Sequence, residues 1–254
     1  MRLNPARPVV AILVTSLVLV TGCTGDKDAK QSNQPARSVP GPLDASVKQF
    51  ATTSYRFTVK ATQGTLDGGF DPTANVLNTK LTAADQGTTV TVETLVVDAD
   101  HFVKITGLPY PGFDGSVWYT LDAGRLKSLS PLGITDLRDP TGARALIGAA
   151  TKAQEAGDRR YSGTVDLTAL ETWGPVDAAD IKSMGDKAKS VPFEATLDEK
   201  GRLATLKVVL PAYGAVPEDT VTATYRDFGS DVKVARPSDG VQEAPPEVYQ
   251  LLGV

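Results

Sequence analysis

Strict alternation is what most limits the folds open to this chain. Between residues 54 and 61, Tyr55, Phe57, Val59 and Ala61 fall on one side of an extended chain. Ser54, Arg56, Thr58 and Lys60 fall on the other. A period of two puts successive side chains on opposite faces of a strand, so this segment can bury only one face. The pattern returns as Phe193, Ala195, Leu197 in residues 192–198, as Leu206, Val208, Leu210 in 203–210, and as Val221, Ala223, Tyr225 in 220–228. Residues 88–97, TTVTVETLVV, are β-branched almost throughout and predict a further strand. So do residues 76–81, 101–106, 117–121 and 160–168. Turns such as Asp98-Ala99-Asp100 and Asp198-Glu199-Lys200-Gly201 are too short for a crossover, so their flanking strands must pair antiparallel.

Other segments carry a helical period or none. Leu43, Val47 and Phe50 recur at i, i+4, i+7, which predicts a short amphipathic helix over 43–52. Asp139-Pro140 reads as a helix start, with Ala143, Leu146, Ile147 and Ala150 on its apolar face and Gly157 as its end. Residues 177–189 predict another helix, with Ile181, Met184 and Ala188 on one side. Gly64, Gly68, Gly69 and Asp71-Pro72 read as a turn region, and residues 107–116 have too many prolines and glycines for regular structure. The closing Val248-Tyr249-Gln250-Leu251-Leu252 reads as a docked half-turn. The expected class is α+β: a curved antiparallel sheet, apolar on one face, with the helices packed across that concave face. Such a sheet either fills with side chains or leaves a cavity.

The N-terminal region speaks to location. Arg2 and Arg7 precede an uninterrupted run of apolar or small residues from 9 to 20, followed by small residues and Cys23. This is the layout of a secretory signal peptide over residues 1–22, and the run is well short of the ~20 residues that span a bilayer. Val20-Thr21-Gly22-Cys23 resembles the bacterial lipobox, in which the cysteine receives a diacylglyceryl group and becomes the first residue after cleavage. The chain has no other cysteine. Acylation at Cys23 would leave no thiol for a disulfide, so stability must come from a buried core. Residues 24–42, TGDKDAKQSNQPARSVPGP, read as a polar tether with a span of roughly 25 Å as a coil. Removing residues 1–22 leaves 24 Lys+Arg against 30 Asp+Glu, a net charge of −6, which argues against nucleic acid as a partner. An aromatic content of 6% is too thin for a base-stacking platform or a ring-lined sugar cleft.

Three stretches together carry a family resemblance: the tethered lipobox, the first strand YRFTVKA, and a closing pair of motifs. The first of that pair is Val191-Pro192-Phe193-Glu194-Ala195-Thr196-Leu197-Asp198 with Gly201-Arg202-Leu203. The second is Thr224-Tyr225-Arg226-Asp227-Phe228-Gly229 with Val232-Lys233-Val234 and Pro237. These resemble the LppX/LprG-type actinobacterial lipoproteins and their LolA-like relatives. The order of elements matches over residues 43–237, but the motifs only over the last 50 or so. The resemblance implies a single domain over 43–254: a half-barrel of antiparallel sheet closed by helices, with a cavity for acyl chains. It also implies binding and carriage of acylated lipid or lipoglycan in the cell envelope, at the outer face of the cell membrane. The partners implied are that membrane, the lipid and an envelope transporter. The candidate cavity walls are the inward strand positions Phe57, Val59, Val92, Val96, Val117, Tyr119, Phe193, Leu197, Leu206 and Val208, with Leu146, Ile147, Ile181 and Met184 on the helices. The alternative is an envelope adaptor or sensor with a filled core that binds a protein partner.

Neither reading needs a cofactor, a metal or an active site. The only histidine, His101, reads as a solvated residue at a strand end. Ser116, Ser128 and Ser130 lie in loops without a nucleophile-elbow sequence. Asp98-x-Asp100-His101 offers ligand atoms but lacks the glycine and distal glutamate of a calcium loop. Trp118 and Trp173 read as core or cavity walls.

Overall fold

A computed structural model describes residues 39–85, 88–108, 115–125, 129–174, 176–238 and 240–252. The expected signal peptide, Cys23 and nearly all of the tether lie outside these residues. Among the described residues, the alternating segments form one mixed sheet of twelve strands that does not close on itself. Six strands follow one another as hairpins: β1 (Tyr55–Ala61), β2 (Gly64–Asp71), β3 (Val76–Asp85), β4 (Thr88–Val97), β5 (Asp100–Thr106) and β6 (Trp118–Leu121). A second meander runs through β7 (Ala150–Gly157), β8 (Arg160–Val165), β9 (Val191–Leu197), β10 (Leu203–Leu210) and β11 (Asp219–Arg226). Pairing of β1 with β11 joins the two, with Phe57 opposite Tyr225 and Val59 opposite Ala223. A short β12 (Val241–Glu243) adds to β6 in parallel, giving the order β12-β6-β5-β4-β3-β2-β1-β11-β10-β9-β8-β7.

The register explains the single apolar face. Across the first meander, Phe57, Gly68, Thr79, Thr94, Val103 and Tyr119 stand opposite one another in turn, as do Val59, Leu66, Leu81, Val92 and Ile105. Most of these side chains are buried, whereas their sequence neighbours Arg56, Lys60, Lys80 and Lys104 point the other way. Two glycines on the buried face each receive a phenylalanine from the next strand. A Cβ on Gly68 would clash with the Phe57 ring and come within 2.7 Å of the Asn78 carbonyl oxygen, and one on Gly163 would lie 2.8 Å from the Phe193 ring.

Among the described residues, four α-helices accompany the sheet: α1 (Gly41–Lys48), α2 (Ala143–Gly148), α3 (Ala178–Met184) and α4 (Pro246–Leu251). Helix α1 takes in Gly41 and Pro42, which the sequence places in the tether, and presses Leu43 and Val47 into the core. It contacts α2, β9 and β10. Phe50, just beyond it, stacks on Tyr55 at 4.5 Å and meets Tyr225 at 4.8 Å, at the seam between the two meanders. Helix α3 starts on a capping box, with Asp177 accepting from the Ala179 and Asp180 amides, and passes into a 3-10 segment, Gly185–Ser190.

Three expectations are corrected. The glycine-rich stretch 64–71 is not a turn but strand β2, whose glycines give room to Phe57 and to Val232 from the C-terminal segment. The helix expected from Asp139 to residue 156 is only α2, six residues long and preceded by Gly142 at φ 69. Residues 150–157 leave it to pair with β8 as strand β7. The tail contains β12 as well as the docked turn. Asp100 and Asp98 at the β4–β5 hairpin hold Arg236 at 2.9 and 3.3 Å, fastening the segment that leads to β12.

Candidate functional site

The inner face has one conspicuous gap, and small side chains cause it. Ala61, Gly64 and Ala83 stand opposite one another across β1, β2 and β3, and Ala223 of β11 stands beside Val59. This row of methyl groups and a bare glycine lowers the floor of the sheet between larger neighbours. Loops rather than helices form the cover. They contribute Gly133, Thr141, Trp173 and Gly174, and the half-open cavity beneath them has a volume of about 220 Å³. Val59, Leu66, Leu81 and Val221 complete the apolar walls, and Gln63, exposed in the β1–β2 turn, marks the mouth. Among the described residues, the lining includes no ionisable side chain.

The cover is held by specific contacts. Trp173 is buried and exchanges backbone hydrogen bonds with Val176. The Gly174 amide donates to the Thr135 hydroxyl at 3.0 Å. Trp173 lies so close to Gly142 that a Cβ there would sit 2.7 Å from its indole carbon Cδ1. Gly133, at φ 73, rests on Leu66 and Leu81. Thr141 both lines the cavity and shares a 3.0 Å hydrogen bond with the Tyr225 hydroxyl.

Behind Thr141 lies a buried polar cluster. One oxygen of Asp139 accepts from the Ala145 amide at 3.0 Å, and the other has no hydrogen-bond partner among the described residues. Burial pushes the Asp139 carboxyl above its usual range, against the pull of the Ala145 amide and the Arg144 charge. Burial, with Asp139 adding to it, also raises the Tyr55 phenol, whose oxygen finds no partner among the described residues. The Trp173 indole nitrogen likewise finds no acceptor.

Of the fourteen wall candidates, only Val59 lines this cavity. Phe57, Val92, Val96, Tyr119, Leu146, Ile147, Ile181, Met184, Phe193, Leu197, Leu206 and Val208 are buried at 8% exposure or less, and Val117 packs against the same core. Most of the expected wall is therefore solid core. Ile181 and Phe193 also border grooves of about 570 and 610 Å³, but these open to solvent and have Lys182, Asp186 and Lys189, or Lys152 and Glu194, along them. The residues that matter and were not expected are Ala61, Gly64, Leu66, Leu81, Ala83, Val221 and Ala223. Leu66 continues the alternation of Gly68 and Phe70, a signal the glycines obscure. The small residues become meaningful only once the register brings them together.

The chemistry-bearing residues do not converge. Both nitrogens of His101 are buried without a partner among the described residues, so the solvated reading is corrected; it faces the core between Val96 and Leu121. Asp98 and Asp100 are engaged by Arg236. Among the described residues, no three His, Cys, Asp or Glu side chains could hold a metal together. Trp173 is a cavity wall as expected, while Trp118 is half-buried and lines a polar groove on the opposite face of the sheet with Arg56, Lys80, Glu93 and Arg226. The chain matches no protein-family model and no curated protein.

Proposed function

We propose that this chain is a non-catalytic envelope lipoprotein of the LppX/LprG, LolA-like type that binds the apolar part of a lipid. Cys23 anchors it to the outer face of the cell membrane through a diacylglyceryl group. In this reading the sheet is a half-barrel with helices across its concave face, and an envelope transporter exchanges lipid with it. The observation that carries the reading is the apolar cavity of about 220 Å³, free of ionisable groups among the described residues, between β11, β1, β2 and β3 and the loops around Thr141 and Trp173. An uncharged lining favours hydrocarbon over any charged ligand, because a charge placed there would lose its hydration without a partner. Two acyl chains on Cys23 are the number that stable anchoring requires.

Among the described residues, the core lies within 39–252, so a chain beginning at Thr24 keeps that core and lacks Cys23. Native mass spectrometry of that chain, mixed with a bacterial envelope lipid extract and repurified, should show a bound lipid. A bare mass that does not shift when phospholipid or lipoglycan is added would refute carriage. The solid packing of Leu206, Val208, Phe193 and Leu197 favours the second reading, an adaptor with a filled core. A bare mass together with specific capture of an envelope protein would support it.

A further inference from the structure

We infer that the cavity takes one linear aliphatic chain, tail first, to a depth of about seven methylenes, and excludes a second chain; this rests on the lipid-binding reading above. Capacity sets the depth. A volume of about 220 Å³ is roughly seven times the ~30 Å³ that a water-sized group occupies. It is also smaller than the ~300–1,000 Å³ of sites that enclose drug-sized ligands. The surroundings set the number of chains. On the deep side Phe57 and Tyr225 close the row, with the Phe57 ring over Gly68. On the flanks Val92 of β4 and Leu206 and Val208 of β10 are already buried in the core. A second chain would have to displace these residues.

Polarity sets the direction. The mouth carries the exposed amide of Gln63, which can hydrogen-bond a headgroup. The far end is closed by Thr141, whose hydroxyl is engaged with Tyr225, and by the buried face of Trp173. A charged headgroup therefore stays outside at Gln63, and the chain enters over the floor of Ala61, Gly64 and Ala83, beneath the loop cover.

The test titrates the chain beginning at Thr24 with linear fatty acids of increasing length, with a lysophospholipid, and with a diacyl phospholipid of the same headgroup. Affinity should rise about fourfold per methylene while methylenes are being buried, then flatten once the cavity is full. The single-chain lysophospholipid should bind at least about tenfold more tightly than the diacyl lipid. Ala83→Phe, which fills the entrance from a half-buried position, should abolish the single-chain binding. A rise that continues to the longest chains, or diacyl lipid binding as tightly as lysophospholipid, overturns the single-chain inference and leaves lipid binding standing. Binding untouched by Ala83→Phe in a normally folded variant overturns the assignment to this cavity. Binding of none of the probes refutes the lipid-binding reading itself.

Discussion

Gly68 and Asp139 each answer to the atoms packed against them. Gly68 is there because Phe57 occupies the space a side chain would take, and the backbone oxygen of Asn78 closes the remainder. Backbone cannot step aside as a flexible side chain can. Gly68→Ala should therefore destabilise by about 1–3 kcal/mol, the usual cost of overpacking, read as a lower denaturant midpoint at unchanged slope. Asp139 works in the opposite sense. Its carboxyl titrates above the ordinary 3.8 because it is buried, so the native state holds a proton that the unfolded chain releases earlier. Stability contributed by the protonated form is complete below the unfolded value and is lost as pH rises through the folded one. Asp139→Asn keeps an oxygen for the Ala145 amide and removes the ionisation. Its stability should no longer fall over that pH range, and the curves of the two proteins should converge at acid pH. Denaturant unfolding across a pH series measures this; parallel curves would show that Asp139 does not titrate there.

At the scale of elements, the hairpins were legible in the sequence and the exceptions have physical causes. Period-two patterning located β1, β4, β9, β10 and β11, because each buries one face only. Strand β2 was hidden because Gly64, Gly68 and Gly69 resemble punctuation, although Gly68 and Gly69 answer to Phe57 and Val232 on neighbouring segments. Residues 150–157 misled in the other direction. Ala, Lys, Gln and Glu favour a helix locally, but pairing with β8 prevails, and bulges on either side of residues 152–155 disturb the simple alternation. The cavity was the least legible feature, since a void is missing side-chain volume and appears only when register aligns Ala61, Gly64 and Ala83. The C-terminal element yields its own prediction. Helix α4 buries Val248 and Tyr249, with Leu252 beside them, and the Tyr249 hydroxyl accepts from the Asp122 amide at 2.8 Å. Deleting residues 241–254 would remove these side chains, expose the core they cover and uncover β6. The loss should be about 5 kcal/mol, comparable to the ~5–15 kcal/mol that stabilises a typical domain. The truncated chain should unfold far earlier on heating and self-associate on size exclusion. Arg236→Ala should cost less than about 1 kcal/mol, because its pairs with Asp98 and Asp100 are half-exposed.

Across the whole molecule, the cavity sits at the joint of the two meanders, where β1 meets β11 with partners such as Phe57 and Tyr225 far apart in sequence. A chain bound there touches Val59 and Leu66 from one meander and Val221 and Ala223 from the other, so occupancy favours the joined state over any in which they separate. Linkage gives the size of that effect. A ligand that binds only the native state adds about 2.7 kcal/mol at a free concentration one hundred times its dissociation constant. For a chain of this length each kcal/mol moves the midpoint by about 2–4 °C, so a saturating single-chain lipid should raise it by roughly 5–10 °C. Ala83→Phe should unfold near the unliganded midpoint of the parent and show no rise with ligand. An equal rise in both proteins would place the lipid on the outer surface, because only the cavity route passes Ala83. A rise in the parent alone ties ligand, cavity and the seam between the meanders to one equilibrium.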